Sequence, residues 1–79
     1  MEMALYSETE GTNIAENIKL IRLSLGETLE QFAKRFGTSK AVVCNWEHKR
    51  NAPKLPTMLK IADLAGVSVI DFLNKKIEV

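Results

Sequence analysis

The segment from Thr28 to Glu47, TLEQFAKRFGTSKAVVCNWE, constrains the fold most, because it contains two short helices and the turn that joins them. Thr28 is a favourable N-cap, and Gln31 follows it at the spacing of a capping box. An apolar stripe then runs up to Gly37, which breaks the helix, and Ser39 is placed to cap the next one. Helices this short cannot bury their apolar faces alone. This helix-turn-helix unit must therefore pack against further helices.

Three further helices are predicted in the rest of the chain. Asn13 begins a capping-box pattern that predicts the start of helix one, which ends at Gly26. Pro56 fits as the first residue of helix four, which stops at Gly66, and Ser68 caps a fifth short helix. Residues 1–12 show neither the helical nor the strand period. We therefore predict an all-α fold, a five-helix bundle over residues 13–79 that follows a flexible N-terminal tail of residues 1–12.

Length and composition exclude several kinds of protein. A chain of 79 residues forms one small domain, and a composition that is 46% hydrophobic and 27% charged is typical of a folded chain. The single cysteine, Cys44, cannot form an internal disulfide, which suits a reducing compartment. No apolar run approaches the roughly 20 residues of a membrane span. We expect a cytoplasmic protein that has no membrane partner.

Charge is distributed unevenly along the chain, although the net charge is only +1. Residues 1–11 contain three acids and no base, whereas residues 34–60 carry a net charge of +6. A cluster of like charges is often only a solvent-exposed surface with no binding role. Here the cations flank one short helix, which favours a surface that contacts nucleic-acid phosphates. They are Lys34, Arg35, Lys40, Lys49, Arg50, Lys54 and Lys60.

The helix that follows Ser39, at about residues 39–48, is the candidate recognition element. The second helix of such a pair fits the major groove of DNA and points its first turn at base edges. If Val43 and Trp46 are buried, helical periodicity places four residues on the opposite face. These predicted base-reading residues are Lys40, Ala41, Cys44 and Asn45. The alternative is that they are merely solvated residues of an amphipathic helix.

These residues resemble the Cro and phage-repressor family, the XRE-like helix-turn-helix domains. The resemblance covers Asn13 to about Asn74 and depends on several features together, namely Ala33, Gly37, Ser39, Val43, Trp46, Glu47 and the segment IADLAGVS. It implies a lambda-repressor-like five-helix fold that binds a two-fold symmetric, palindromic operator as a dimer. It also implies that the positions of Lys40, Ala41 and Asn45 reach bases.

The resemblance also assigns residues outside the base-reading face. It implies an ion pair between Arg22 and Glu47 that ties helix one to the recognition helix. It further implies phosphate contacts from the start of helix two, from the cap of helix three and from the loop that follows. In this chain these are Thr28, Leu29, Ser39, Lys49, Arg50, Asn51 and Lys54.

Two departures from the family pattern affect phosphate binding. Leu29 stands where the family commonly has a phosphate-binding glutamine, so only the backbone N–H could serve there. The glycine that often follows the Trp-Glu pair is also replaced, by the sequence HKRN. The resulting loop is more cationic than usual, and Lys49, Arg50 and Lys54 could compensate for Leu29.

A third departure concerns self-association. Leu64 and Ile70 stand where the family tends to have smaller or polar residues. If they are exposed, they form an apolar patch together with Val69, and we predict a symmetric homodimer that uses this patch. The alternative is that Leu64 or Ile70 turns inward beside the small Ala65.

The predicted function is a sequence-specific double-stranded DNA-binding transcriptional regulator, a repressor. Cys44 and His48 lie four apart on one helix, but two ligands fall short of a structural zinc site, and no orienting partner is evident for a Cys-His catalytic pair. We therefore expect no enzyme activity, metal, cofactor or small-molecule ligand. The competing interpretation is an antitoxin or adaptor, a protein-interaction module with reduced or lost DNA binding.

Overall fold

Five helices and no strand are formed within residues 6–78, the part of the chain that the computed structural model describes. They are α1 (Glu8–Ser24), α2 (Leu29–Arg35), α3 (Lys40–Glu47), α4 (Leu55–Leu64) and α5 (Val69–Asn74). The predicted all-α, five-helix fold class is confirmed. Helix α4 begins one residue before Pro56, so this proline occupies its second position, where a helix needs no backbone donor.

The predicted start of helix one at Asn13 is wrong, because α1 begins at Glu8. Ser7 and Glu10 form the capping box: the Glu10 N–H donates to Ser7 Oγ, and the Ser7 N–H donates to Glu10 Oε1, both at 3.0 Å. The two glutamates of the first turn, Glu8 and Glu10, also stabilise the helix by interacting with the positive end of its dipole. The predicted flexible tail is therefore helical over residues 8–12, and its first five residues lie outside the described part.

Helices α2 and α3 begin as the sequence predicts. The Thr28 hydroxyl accepts from the Gln31 N–H at 3.1 Å, and the Gln31 side chain accepts from the Thr28 N–H at 2.9 Å. The Ser39 hydroxyl accepts from the Val42 N–H at 3.4 Å. Gly37 lies between the two helices with φ at +65°, a backbone conformation that residues with a side chain rarely adopt. Local residue chemistry therefore sets both helix starts and the turn.

All five helices contribute to one core. Its fully buried large side chains include Ile14, Ile18, Phe32, Val43, Met58, Ile61 and Phe72. Leu25 and Leu59 continue the apolar periodicity of α1 and α4, yet they are 41% and 48% exposed. The core therefore packs α2 against α3, α3 and α5 against α1, and α4 against α1 and α5, and it leaves several leucines on the surface.

A buried asparagine fastens the carboxyl-terminal segment to α1. Asn17 is fully buried, and its Nδ2 donates to the carbonyls of Phe72 and Lys75 at 2.9 and 2.8 Å. Its Oδ1 accepts from the Ile77 N–H at 3.0 Å. Asn13, the expected cap, instead donates to the Leu73 carbonyl at 3.0 Å. These bonds satisfy backbone groups where α5 ends, and they place Ile77 in the core.

Candidate nucleic-acid interface

The inner face of the α2–α3 unit is held by aromatic packing. Phe32 and Phe36 meet edge to face with ring centroids 5.1 Å apart, and Phe36 meets Trp46 in the same manner at 6.3 Å. Val43 and Trp46 of α3 are buried, as the sequence predicts. Because this side of α3 is fixed in the core, its opposite side must face outward.

The four predicted base-reading residues lie on the outward side of α3 but differ in exposure. Lys40 and Ala41, in the first turn, are exposed, whereas Cys44 and Asn45 are half-buried. An α-helix with its side chains is about 10–12 Å across, so α3 fits the major groove, which is about 12 Å wide. The first turn of α3 is therefore the part most open to a large ligand.

Cys44 and His48 form a local contact at the end of α3. The His48 Nδ1 lies 2.8 Å from the Cys44 carbonyl oxygen and 3.5 Å from its Sγ. With its proton on Nδ1, the imidazole donates to that carbonyl, which also accepts from the His48 backbone N–H at 3.1 Å. Within residues 6–78 no group of three or more metal-ligating side chains occurs.

Asn45 and Arg50 form a second contact at this end. The Arg50 N–H donates to the Asn45 carbonyl at 3.0 Å, and the Arg50 Nη1 donates to the side-chain Oδ1 of Asn45 at 3.3 Å. Arg50 was predicted from the sequence as a phosphate contact, and its contact with Asn45, a predicted base-reading residue, was not predicted. The contact spans five positions around a helix end, where simple helical periodicity no longer applies.

The loop after α3 presents three exposed cations, Lys49, Arg50 and Lys54. Lys49 has φ at +61°, in the left-handed region, at one of the positions where the family often has glycine. Its Nζ donates to Thr12 Oγ1 at 2.9 Å, which links the loop to α1.

Asn51 is half-buried, and its Oδ1 is buried without a hydrogen-bond partner among the described residues. Its surroundings therefore suit a packed loop residue more than an open phosphate contact.

The backbone strain at Lys49 gives a testable stability effect. A side chain in the left-handed region costs about 1 kcal/mol, so we expect Lys49→Gly to raise the free energy of unfolding by about 0.5–1 kcal/mol in urea denaturation. Lys49→Ala is the control, since it also removes the bond to Thr12 but keeps the Cβ. A glycine variant no more stable than the alanine variant would contradict the strain.

Arg22 and Glu47 form the ion pair that the resemblance implies. Arg22 Nε and Nη2 donate to the two Glu47 carboxylate oxygens at 2.7 and 3.0 Å, and the two side chains are only 12% and 5% exposed. Hydrogen bonding to Glu47 raises the pKa of Arg22 above its ordinary value. A third donor, Nη1, reaches the Glu27 carbonyl at 2.9 Å. One guanidinium therefore joins α1, the α1–α2 loop and the end of α3.

A second ion pair, which was not predicted from the sequence, engages one of the cations of residues 34–60. Arg35 Nη2 lies 2.6 Å from Glu27 Oε2, and its Nε lies within 3.0 Å of both carboxylate oxygens. Hydrogen bonding to Arg35 lowers the pKa of Glu27. Arg35 was counted in the cationic segment, but its charge is compensated by this neighbour. The other six cations of residues 34–60 are exposed, and four of them lie on α3 and in the loop after it.

The start of α2 has one side chain turned outward and one turned inward. Thr28 is exposed, but its hydroxyl is engaged in the capping box. Leu29 is half-buried and packs against the core cluster. The residue that departs from the family pattern thus contributes to packing, and only its backbone remains suited to a phosphate.

The predicted dimerisation residues differ in exposure. Leu64 is 41% and Ile70 66% exposed, whereas Val69 is partly buried against the core. The alternative in which Leu64 or Ile70 turns fully inward is therefore wrong. Other large apolar side chains are also exposed, namely Leu23, Leu25, Leu55 and Leu59.

These features define a helix-turn-helix domain in which one face of α3 is open to solvent. The model of a protein family described as helix-turn-helix matches residues 18–72, well over half of the chain. The chain therefore belongs to the Cro/C1-type, XRE-like helix-turn-helix family, as the sequence resemblance predicted. Membership supports a DNA-binding regulatory role, and the family is generally not enzymatic.

Comparisons with curated proteins and with solved structures found no significant match. Among residues 6–78, no helix has both the length and the apolar character needed to cross a membrane.

Proposed function

We propose that the protein is a sequence-specific transcriptional repressor that inserts α3 into the major groove of an operator. One observation carries the proposal: one side of α3 is fixed in the core by Val43 and Trp46, while Lys40 and Ala41 stand exposed on its first turn. Lys40 can donate to guanine O6 or N7, the Ala41 methyl can contact a thymine methyl, and Asn45 offers an amide to a base edge. Cys44 lies on the same side, where its small side chain allows close approach.

The proposed phosphate contacts surround this face. Ser39 stands at the start of α3, Thr28 and Leu29 at the start of α2, and the cations Lys49, Arg50 and Lys54 in the loop after α3. Such contacts fix the orientation of the protein on DNA without reading sequence. The strained backbone of Lys49 fits this role, since strain persists at positions where a side chain has a function. Asn51 belongs to the same loop, although its amide is more enclosed.

The salt dependence of binding to random duplex DNA tests the proposal. Lys49, Arg50 and Lys54 would neutralise about three phosphates per protomer, which gives a logarithmic slope of about −2.7. We therefore expect affinity to fall at least about fortyfold when monovalent salt rises from about 50 to 200 mM. A triple variant that replaces Lys49, Arg50 and Lys54 with alanine should bring the slope close to zero.

The same titration separates the competing function, an antitoxin or adaptor module. The exposed Leu23, Leu55 and Leu59, together with the inward Leu29 side chain, favour that alternative. A domain that serves only protein partners would bind random duplex weakly at both salt concentrations. That result would contradict the DNA-binding proposal.

We further propose that two copies bind a palindromic operator as a homodimer through Leu64, Val69 and Ile70. Two recognition helices related by a two-fold axis would then lie about 34 Å apart, one turn of DNA. Burial of the 66%-exposed Ile70 would supply part of the association free energy.

Disrupting this patch should separate dimerisation from folding. We expect Ile70→Glu to be monomeric in sedimentation equilibrium and to lose operator affinity, because it places two like charges across the interface. Leu55→Glu is the matched control, since Leu55 is 55% exposed at the opposite end of α4 from Leu64, and it should leave the oligomeric state unchanged. A monomeric Ile70→Glu variant with unchanged operator affinity would contradict the dimer proposal.

A further inference from the structure

The contact between Arg50 and Asn45 bears on which base the protein selects. Arg50 turns back over the end of α3, where its backbone N–H and its guanidinium both meet Asn45. The guanidinium Nη1 donates a hydrogen bond to the side-chain oxygen of Asn45 at 3.3 Å. Arg50 itself is exposed, and Asn45 is half-buried on the proposed DNA-facing side.

An asparagine amide offers a base one acceptor oxygen and one donor NH₂ group. Its bidentate pairing with adenine uses both at once, since the oxygen accepts from N6 and the NH₂ donates to N7. The Arg50 guanidinium already donates one hydrogen bond to the Asn45 side-chain oxygen. Its positive charge also repels the partly positive N6 amino group of an adenine. It also fixes the amide plane, so that the NH₂ group becomes the part of Asn45 free to meet a base.

We infer that Arg50 is a positioning residue that makes Asn45 a donor, and so directs it to guanine rather than adenine. Guanine presents two acceptors, N7 and O6, to the major groove, whereas adenine pairs one acceptor with a donor. This inference rests on the proposed function, since it specifies how that DNA-binding site chooses its sequence. It also gives Arg50 a role that a simple phosphate contact would not have.

Selection of bound sequences from a random duplex pool tests this role. The base pair read by Asn45 is identified as the one at which Asn45→Ala alone loses its preference. We expect the wild-type protein to enrich guanine there and Arg50→Ala to change the preference to adenine. The shift in the guanine-to-adenine ratio should be about 5- to 150-fold, the discrimination of one bidentate contact.

Arg50→Lys separates positioning from charge. It keeps a cation for a phosphate but lacks the planar fork of arginine. We expect it to retain the wild-type salt slope while its base preference changes as in Arg50→Ala. Thermal unfolding of both variants should match the wild type, because Arg50 lies on the surface.

Two results would overturn the inference and differ in what they imply. If Arg50→Ala binds every sequence more weakly but keeps the guanine preference, Arg50 is only a phosphate contact and the proposed function stands. If the wild-type protein enriches no sequence, the proposed function fails together with the inference.

Discussion

Replacing Glu47 with alanine is expected to lower the free energy of unfolding by about 3 kcal/mol, the lower end of the cost of removing one partner from a buried ion pair, because this pair is largely but not fully buried. The Arg22 guanidinium would keep its bond to the Glu27 carbonyl but lose both bonds to the carboxylate. Since a small domain has only a few kcal/mol of net stability, this variant should be close to unfolding at 37 °C. Urea denaturation measures the change.

The ion pair between Glu27 and Arg35 provides a matched control. It is also bidentate, but Arg35 is 39% exposed, so Glu27→Ala should cost much less stability than Glu47→Ala. The double variant Arg22→Met with Glu47→Leu should recover most of the loss, because it leaves no unpaired charge. A Glu47→Ala variant no less stable than Glu27→Ala would contradict the structural role of the pair.

The second large effect concerns DNA recognition. We expect Lys40→Ala and Asn45→Ala each to weaken binding to the selected operator by about 1–3 kcal/mol, and the double variant by roughly 30-fold to more than 10⁴-fold. Equilibrium binding to operator and random duplex, measured side by side, gives the specificity ratio. Binding of Asn45→Ala to random duplex should change little, because Asn45 carries no charge.

Lys76→Ala is the control for charge alone. Lys76 is 65% exposed near the carboxyl terminus, outside the cationic segment, and its loss should leave the specificity ratio unchanged. If Lys40→Ala instead weakens all sequences equally, Lys40 contacts phosphate and its proposed base-reading role is wrong.

Features of the fold that depend on neighbouring residues could be predicted from the sequence. The caps at Thr28 and Ser39 and the break at Gly37 need only local geometry, and all three are present. The outward face of α3 followed from periodicity once Val43 and Trp46 were taken as buried. The start of α1 was missed although Ser7 and Glu10 have capping-box spacing, because residues 1–12 show no helical period in their apolar residues. In the structure Gly11 is buried within α1.

Features that depend on distant partners could not be predicted in the same way. Asn17 resembles any polar residue of a helix, and its partners lie 55–60 positions further along the chain. The contact of Arg50 with Asn45 depends on how the chain leaves α3, which includes the left-handed conformation of Lys49. The contacts of Asn17 arise from the folded chain as a whole, whereas the contact of Arg50 arises from the local path of the chain at the end of α3, and it is the basis of the base preference that we propose.

Methylation interference on the selected duplex tests most directly whether α3 reads the major groove. Methyl groups on guanine N7 project into the major groove, whereas those on adenine N3 project into the minor groove. We predict that duplexes with methylated guanine N7 are depleted from the bound fraction at two clusters about 34 Å apart, one turn of DNA. Equal methylation of bound and free DNA at guanine N7, or depletion confined to adenine N3, would contradict the central claim.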